Sequence, residues 1–121
     1  MKQLDIIEVY ERGLEDFDSL SSDERDFFVV HNLDLWYEMQ GSFEDYFLSG
    51  SYDAQINWLA DTLLRADDRD SLAILGQIRA LTSDQLEMLT DLSGDFYNIR
   101  ESRWQRVEKS LNQQAVVIAW E

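Results

Sequence analysis

The sequence predicts an all-α fold, a single compact multi-helix domain of about six helices, and three observations carry that prediction. Proline is absent and glycine occurs only five times in 121 residues, whereas a turn-rich β fold needs both at its corners. Apolar residues recur at steps of three and four through most of the chain, the mark of helices with one buried face. Helix-start signals of the capping-box type precede two of these stretches. A hydrophobic content of 45% and an aromatic content of 12% supply enough apolar matter for a packed core without staples.

The first helix is predicted from Leu4 to Phe17, with Leu4, Ile7, Tyr10, Leu14 and Phe17 as its stripe. Gly13 would weaken its interior by roughly 1 kcal/mol relative to alanine, which suggests that another helix crosses closely there. Ser21 and Glu24 then frame a capping box, and Asp23, Glu24 and Asp26 suit the positive end of a helix dipole. The run from Phe27 to Met39 is too apolar for a one-sided helix, so it is expected at the centre of the fold. Gly41 ends it as a left-handed residue would.

Ser42 can cap a short helix, Phe43 to Leu48. Asp53 can cap the next, with Ile56, Leu59, Ala60, Leu63 and Leu64 inward. Asp67-Asp68-Arg69-Asp70 opens another that carries Leu72, Leu75, Ile78 and Leu81. Thr82 and Gln85 repeat the capping-box spacing ahead of Leu86 and Leu89. A break is expected at Ser93-Gly94, followed by a longer helix with Phe96, Ile99, Trp104, Val107 and Leu111. The closing AVVIAWE fits either a short strand or an extension of that helix. No internal repeat or linker divides the chain, so residues 1–121 form one acidic helical domain.

Charge is the unusual quantity. Twenty-five acids face ten bases, a formal net charge of -15, and self-repulsion on that scale works against a compact state. Residues 1–50 hold 13 acids and 3 bases, a net of -10, and residues 51–121 hold 12 and 7, a net of -5. Direct binding to nucleic acid is disfavoured because phosphates are repelled; a basic protein is the complement. Arg100, Arg103, Arg106 and Lys109 fall every third residue and are expected to pair with the protein's own acids. The alternative is that they meet the acidic half of a second copy in a homodimer.

Other chemistry is sparse. With no cysteine there is no disulfide, thiol nucleophile or thiolate metal site. No signal-peptide pattern or membrane-length apolar run occurs, so the cytoplasm is the expected compartment and no membrane partner is expected. His31 is the single histidine, with Asp34 one turn on, and reads as a structural residue in an apolar helix. Asp34 with Glu38, or Glu44 with Asp45, has the form of an acid–base pair, but 25 acids produce such pairs by composition. Asp67 to Asp70 lacks the glycine and the distant glutamate of a calcium loop. Neither phosphate loop, nucleophile elbow nor zinc spacing is present, so no cofactor or metal is expected and the reading is non-enzymatic. Trp36, Trp58 and Trp104 read as core, and Trp120 as core or as an exposed anchor.

The acidic helix faces remain. Residues three or four apart on a helix lie about 5–6 Å from each other, so Asp5, Glu8, Glu11 and Glu15 make a row of carboxylates. Phosphates on one DNA strand follow at ~3.4 Å of axis, with a larger through-space separation. Such a row can therefore present anions to arginine and lysine much as DNA does. The expected contact residues are Asp5, Glu8, Glu15, Asp16, Asp23, Glu24, Asp26, Asp34, Glu38, Glu44 and Asp45.

The stretch YERGLEDFDSLSSDERDFFVVHNLDLWYEMQGSFEDYFLSGSYDA resembles the all-helical domain of the bacterial DNA-mimic protein family (DNA mimic protein 19-like). In that family a "GL…LS..ER" stretch leads into a helix that ends in an Asn-Gly-Gly-Phe corner followed by aromatics. The corner here is Gln40-Gly41-Ser42-Phe43, with Tyr46 and Phe47 after it. INWLADTLLRADDRDSLAILGQI resembles the family's helix pair, and DFYNIR from Asp95 its late aromatic helix, so the likeness spans Tyr10 to Leu111. Gln40 and Ser42 depart from the family's asparagine and glycine. The resemblance implies a helical, non-enzymatic protein, in one member a DNA mimic that binds a transcription factor. The contact residues named above come from charge and are not carried over from the family. The alternatives are an immunity-type protein that masks a cationic toxin such as a nuclease, and a small carboxylate-dependent hydrolase built on His31, Asp34 and Glu38.

Overall fold

The computed structural model describes residues 1–120 and shows one all-α domain fastened by a two-stranded ribbon. In chain order these are β1 (Lys2–Asp5), α1 (Ile6–Glu15), α2 (Ser22–Gln40), α3 (Glu44–Leu48), α4 (Asp53–Arg65), α5 (Arg69–Arg79), α6 (Leu86–Asn98), α7 (Arg100–Gln113) and β2 (Val116–Ala119). Short 3₁₀ turns at Phe17–Ser19 and Ser83–Gln85 precede α2 and α6.

The long helix α2 occupies the centre, packed by α1, α4, α6 and α7. Phe27, Phe28, Val29, Val30 and Leu33 are all buried, and consecutive buried residues point to every side of a helix. The predicted capping box forms, the Glu24 carboxylate accepting the Ser21 N–H at 2.8 Å. Gly41 closes the helix with φ 73°, a left-handed conformation that costs glycine little.

The corner after Gly41 is held from a distance. The Phe43 N–H donates to Ser93 Oγ at 3.2 Å, and the Ser93 hydroxyl donates to the Leu89 carbonyl at 2.6 Å. Ser93 and Gly94 therefore do not interrupt the chain as predicted. They lie inside α6, where Ser93 is a buried bridge and Gly94 lets Tyr37 approach; a Cβ there would sit 3.3 Å from the Tyr37 hydroxyl. The true break falls at Ile99, between α6 and α7.

Further expectations are corrected at the ends of elements and along their faces. The first helix begins at Ile6, because Lys2–Asp5 pairs in parallel with Val116–Ala119, Lys2 opposite Val116 and Asp5 opposite Ala119. Leu4, Val116 and Ile118 are buried from this ribbon, the inward residues of a period of two. That settles Val116–Ala119, the centre of AVVIAWE, as a strand, while Glu121 lies outside the described residues. The buried residues of α1 are consequently Val9 and Gly13, while Ile7 and Leu14 are 53% and 58% exposed. Leu64 on α4 is exposed as well. Ser42 and Asp53 sit just before and just inside their helices, whose caps are Phe43 and Tyr52.

The close crossing expected at Gly13 is present. A Cβ on Gly13 would overlap the ring of Phe28, which is fully buried and has nowhere to move. Replacing glycine by alanine inside a helix ordinarily gains about 1 kcal/mol, and overpacking costs about 1–3 kcal/mol. Gly13→Ala is therefore expected to lower stability in urea unfolding. Gly76→Ala on α5, where an added Cβ meets nothing within 4 Å, is expected to raise it.

Candidate functional site

The carboxylates divide by where their helices point them. Asp26, Asp34 and Asp68 are buried. Asp26 accepts from Trp58 Nε1 at 2.8 Å, from Thr62 Oγ1 at 2.9 Å and from both Arg65 Nη atoms at 2.8 Å, all from α4. Asp34 accepts from Trp104 Nε1 at 2.8 Å and from Arg103 Nη2 at 3.3 Å, both on α7. Arg103 also donates to the Phe96 carbonyl at 2.9 Å and to Ser71 Oγ at 3.2 Å. Burial pulls the Arg103 guanidinium below its ordinary value, against the opposing pull of Asp34. Asp26 and Asp34, expected partner contacts, belong to the core, because α4 covers Asp26 and α7 covers Asp34.

Asp23 and Glu24 are engaged at the start of α2, Asp23 by Lys2 at 3.0 Å and Glu24 by Arg12 at 2.5 Å. Burial works to raise both carboxyls. Bonds from Ser21 and Lys2 to Asp23, and from Arg12 and Ser21 to Glu24, outweigh it and hold them below the usual range. Asp5 caps α1, accepting the N–H groups of Ile7 and Glu8 at 3.1 Å. Glu8 is tied to Arg12 at 2.9 Å. Of the predicted row on α1, Glu11 and Glu15 stay exposed without an ion pair, continued by Asp16. Glu38, Glu44 and Asp45 are likewise exposed and unpaired among the described residues.

A second row lies on α6, where Glu87, Asp91 and Asp95 are all exposed at four-residue steps. Each step rises about 6 Å at 1.5 Å per residue, comparable with the separation of successive phosphates. None of the three is in an ion pair among the described residues. The spacing is plain in the sequence, but the expected break at Ser93-Gly94 divided the helix that carries it.

Of the four late bases, only Arg103 pairs with an acid among the described residues. Arg100 donates to the Tyr97 carbonyl at 3.2 Å and lies 4.1 Å from the Tyr97 ring centre. Arg106 donates to the Asp67 carbonyl at 2.9 Å. Lys109 has no ion pair among the described residues.

Between α2, the end of α6, α7 and Trp120 runs a groove of about 550 Å³. It brings together His31, Asp34 and Glu38, the three residues of the hydrolase alternative. Asp34 is held by Arg103 and Trp104, however, and among the described residues no group of three or more His, Asp or Glu side chains could hold a metal ion. His31 stacks on Phe27 with ring centres 5.0 Å apart and meets Tyr10 edge-on at 5.4 Å. Burial pushes its imidazole below the ordinary value, while Asp34 and Glu38 pull it up. This is the environment of a packing residue. No helix is long and apolar enough to cross a membrane among the described residues.

Two outcomes follow from this geometry. Asp34→Asn strips the buried Arg103 of its counter-charge and is expected to cost about 3–5 kcal/mol in urea unfolding, whereas Asp91→Asn on the exposed row should stay within about 0.5 kcal/mol. The folded pKa of His31 lies below the unfolded value of about 6.5, so the unfolded chain takes up the proton first. The stability due to the neutral ring is complete above that pH and is lost as pH falls through it toward the folded pKa. A proton NMR titration of the single histidine is expected to give the depressed value, and His31→Phe to remove this part of the pH dependence.

The functional reading rests on these residues' own chemistry, because no family model, curated protein or solved structure matches the chain.

Proposed function

We propose that the protein binds a basic, DNA-binding protein such as a transcription factor through its exposed carboxylates and competes with DNA for it. The observation that carries this reading is the row Glu87, Asp91 and Asp95, rigid on α6, exposed and without counter-ions among the described residues. Glu11, Glu15 and Asp16 add a shorter row at α1, and Glu44 and Asp45 on α3 lie on a helix packed against α6. The net charge of -15 supplies the field that draws a cationic partner in, and complementary potential sets on-rate and partner choice. Competition of this kind needs no catalytic group, only negative charge at spacings that a DNA-binding surface accepts.

Carboxylates also suit a cationic toxin, and the same experiment separates the two partners. The protein immobilised on beads is expected to retain DNA-binding proteins from a lysate, and added duplex DNA to release them. Retention should fall steeply with salt, because exposed ion pairs are screened within about 10 Å at 0.1 M. Neutralising the α6 row with Glu87→Gln, Asp91→Asn and Asp95→Asn is expected to weaken retention by about tenfold or more, three exposed pairs at up to 1 kcal/mol each. Retention of a nuclease toxin whose activity is blocked would favour the immunity-type reading. Retention that neither DNA nor salt disturbs would defeat both.

A further inference from the structure

The groove beside α7 has a composition that the acidic rows lack. Its walls are aromatic, with Tyr97 from α6, Trp104 from α7 and Trp120 following β2, and its edge carries Glu38, Glu101 and Glu108. Trp104 and Trp120 meet edge to face with centres 5.0 Å apart, and Trp120 remains 44% exposed. Trp120 Nε1 donates to one oxygen of Glu108 at 2.9 Å, and among the described residues the second oxygen has no donor. The groove's own cation, Arg100, is drawn aside onto the Tyr97 ring and carbonyl. Asp34 is balanced by Arg103. Three carboxylates thus face one arginine around an open aromatic surface.

We propose that this groove receives an arginine side chain of a partner protein, stacked on the exposed indole of Trp120 beside the edge of Trp104 and hydrogen-bonded by the carboxylates at the rim. The proposal deepens the reading above, since it rests on a basic partner, and names where one of that partner's side chains is anchored. Guanidinium is planar and weakly hydrated, so it can lie against an aromatic face while its edge donates to carboxylates. The protein already uses this geometry for its own arginines. Arg103 lies 3.9 Å from the Phe96 ring centre while donating to Asp34, and Arg25 sits 5.3 Å from Phe17 and 5.0 Å from Trp58. Lysine gains less, because its ammonium is a strongly hydrated point charge. A phosphate-bearing ligand would be repelled by the rim.

The test uses the full chain titrated with tetra-arginine and tetra-lysine peptides, observed through the four tryptophan indole N–H resonances. Tetra-arginine is expected to bind about fivefold more tightly than tetra-lysine, the worth of an exposed cation–π contact, and to move the Trp104 and Trp120 signals most. Trp120→Ala is expected to abolish the preference and Trp120→Phe to keep part of it. Glu38→Gln with Glu101→Gln should weaken both peptides. Neutralising Glu87, Asp91 and Asp95 should leave the preference intact. Equal affinity for the two peptides, or a preference that survives Trp120→Ala in a folded protein, overturns the proposal. Arginine preference in a protein that retains no DNA-displaceable partner leaves the groove standing and removes the DNA-mimic reading. The opposite pair of results does the reverse.

Discussion

Two carboxylates buried on the central helix set the terms for the rest of the molecule. A charge withdrawn from water costs several kcal/mol unless it is paired and hydrogen-bonded. Asp26 meets that demand with Trp58, Thr62 and Arg65 of α4, and Asp34 with Arg103 and Trp104 of α7. Each aspartate therefore fixes one neighbouring helix against α2, in angle and in register. Arg103 extends the second clamp to α5 through Ser71 and to α6 through the Phe96 carbonyl. The apolar core around these clamps supplies the burial energy, while the clamps specify which packing is adopted.

This use of bases inside the fold shapes its outside. Ten bases serve twenty-five acids. Arg65 and Arg103 are committed to buried aspartates, and Lys2 and Arg12 hold β1 and α1 to the start of α2. The other six bases, among them the exposed Arg69, Arg79, Arg106 and Lys109, form no ion pair with Glu11, Glu15 and Asp16 or with the α6 row among the described residues. The negative field follows from the excess of acids over bases. Surface carboxylates held on rigid helices keep their spacing, which a flexible acidic tail cannot do.

Much of this was legible in the sequence and some was not, for identifiable reasons. The extent of α2, its capping box and its glycine stop follow from local chemistry and were read correctly, as was the close crossing at Gly13. Leu4 fits the stripe of a helix and the inward side of a strand equally well, and only its pairing partner at Ile118 decides between them. Ser93-Gly94 has the composition of a turn, but its polarity is absorbed by Leu89 and by Phe43, fifty residues away. Misreading that pair also hid the row on α6. Asp26 and Asp34 carry no local mark of burial, because the arginines that permit it lie in distant helices. The groove joins α2, α6, α7 and the segment after β2, so no local pattern could reveal it.

The parallel ribbon bears on how the chain reaches this state. Its strands join residues 2–5 to residues 116–119, and closing a loop of that size is entropically dear before other contacts exist. Helices form from neighbours in the chain within about a microsecond. The ribbon is therefore expected to close late, on helices already formed, with Leu4, Val116 and Ile118 leaving water at that step. Until it shuts, Lys2–Asp5 and Val116–Ala119 each present an unpaired strand edge that another chain could meet.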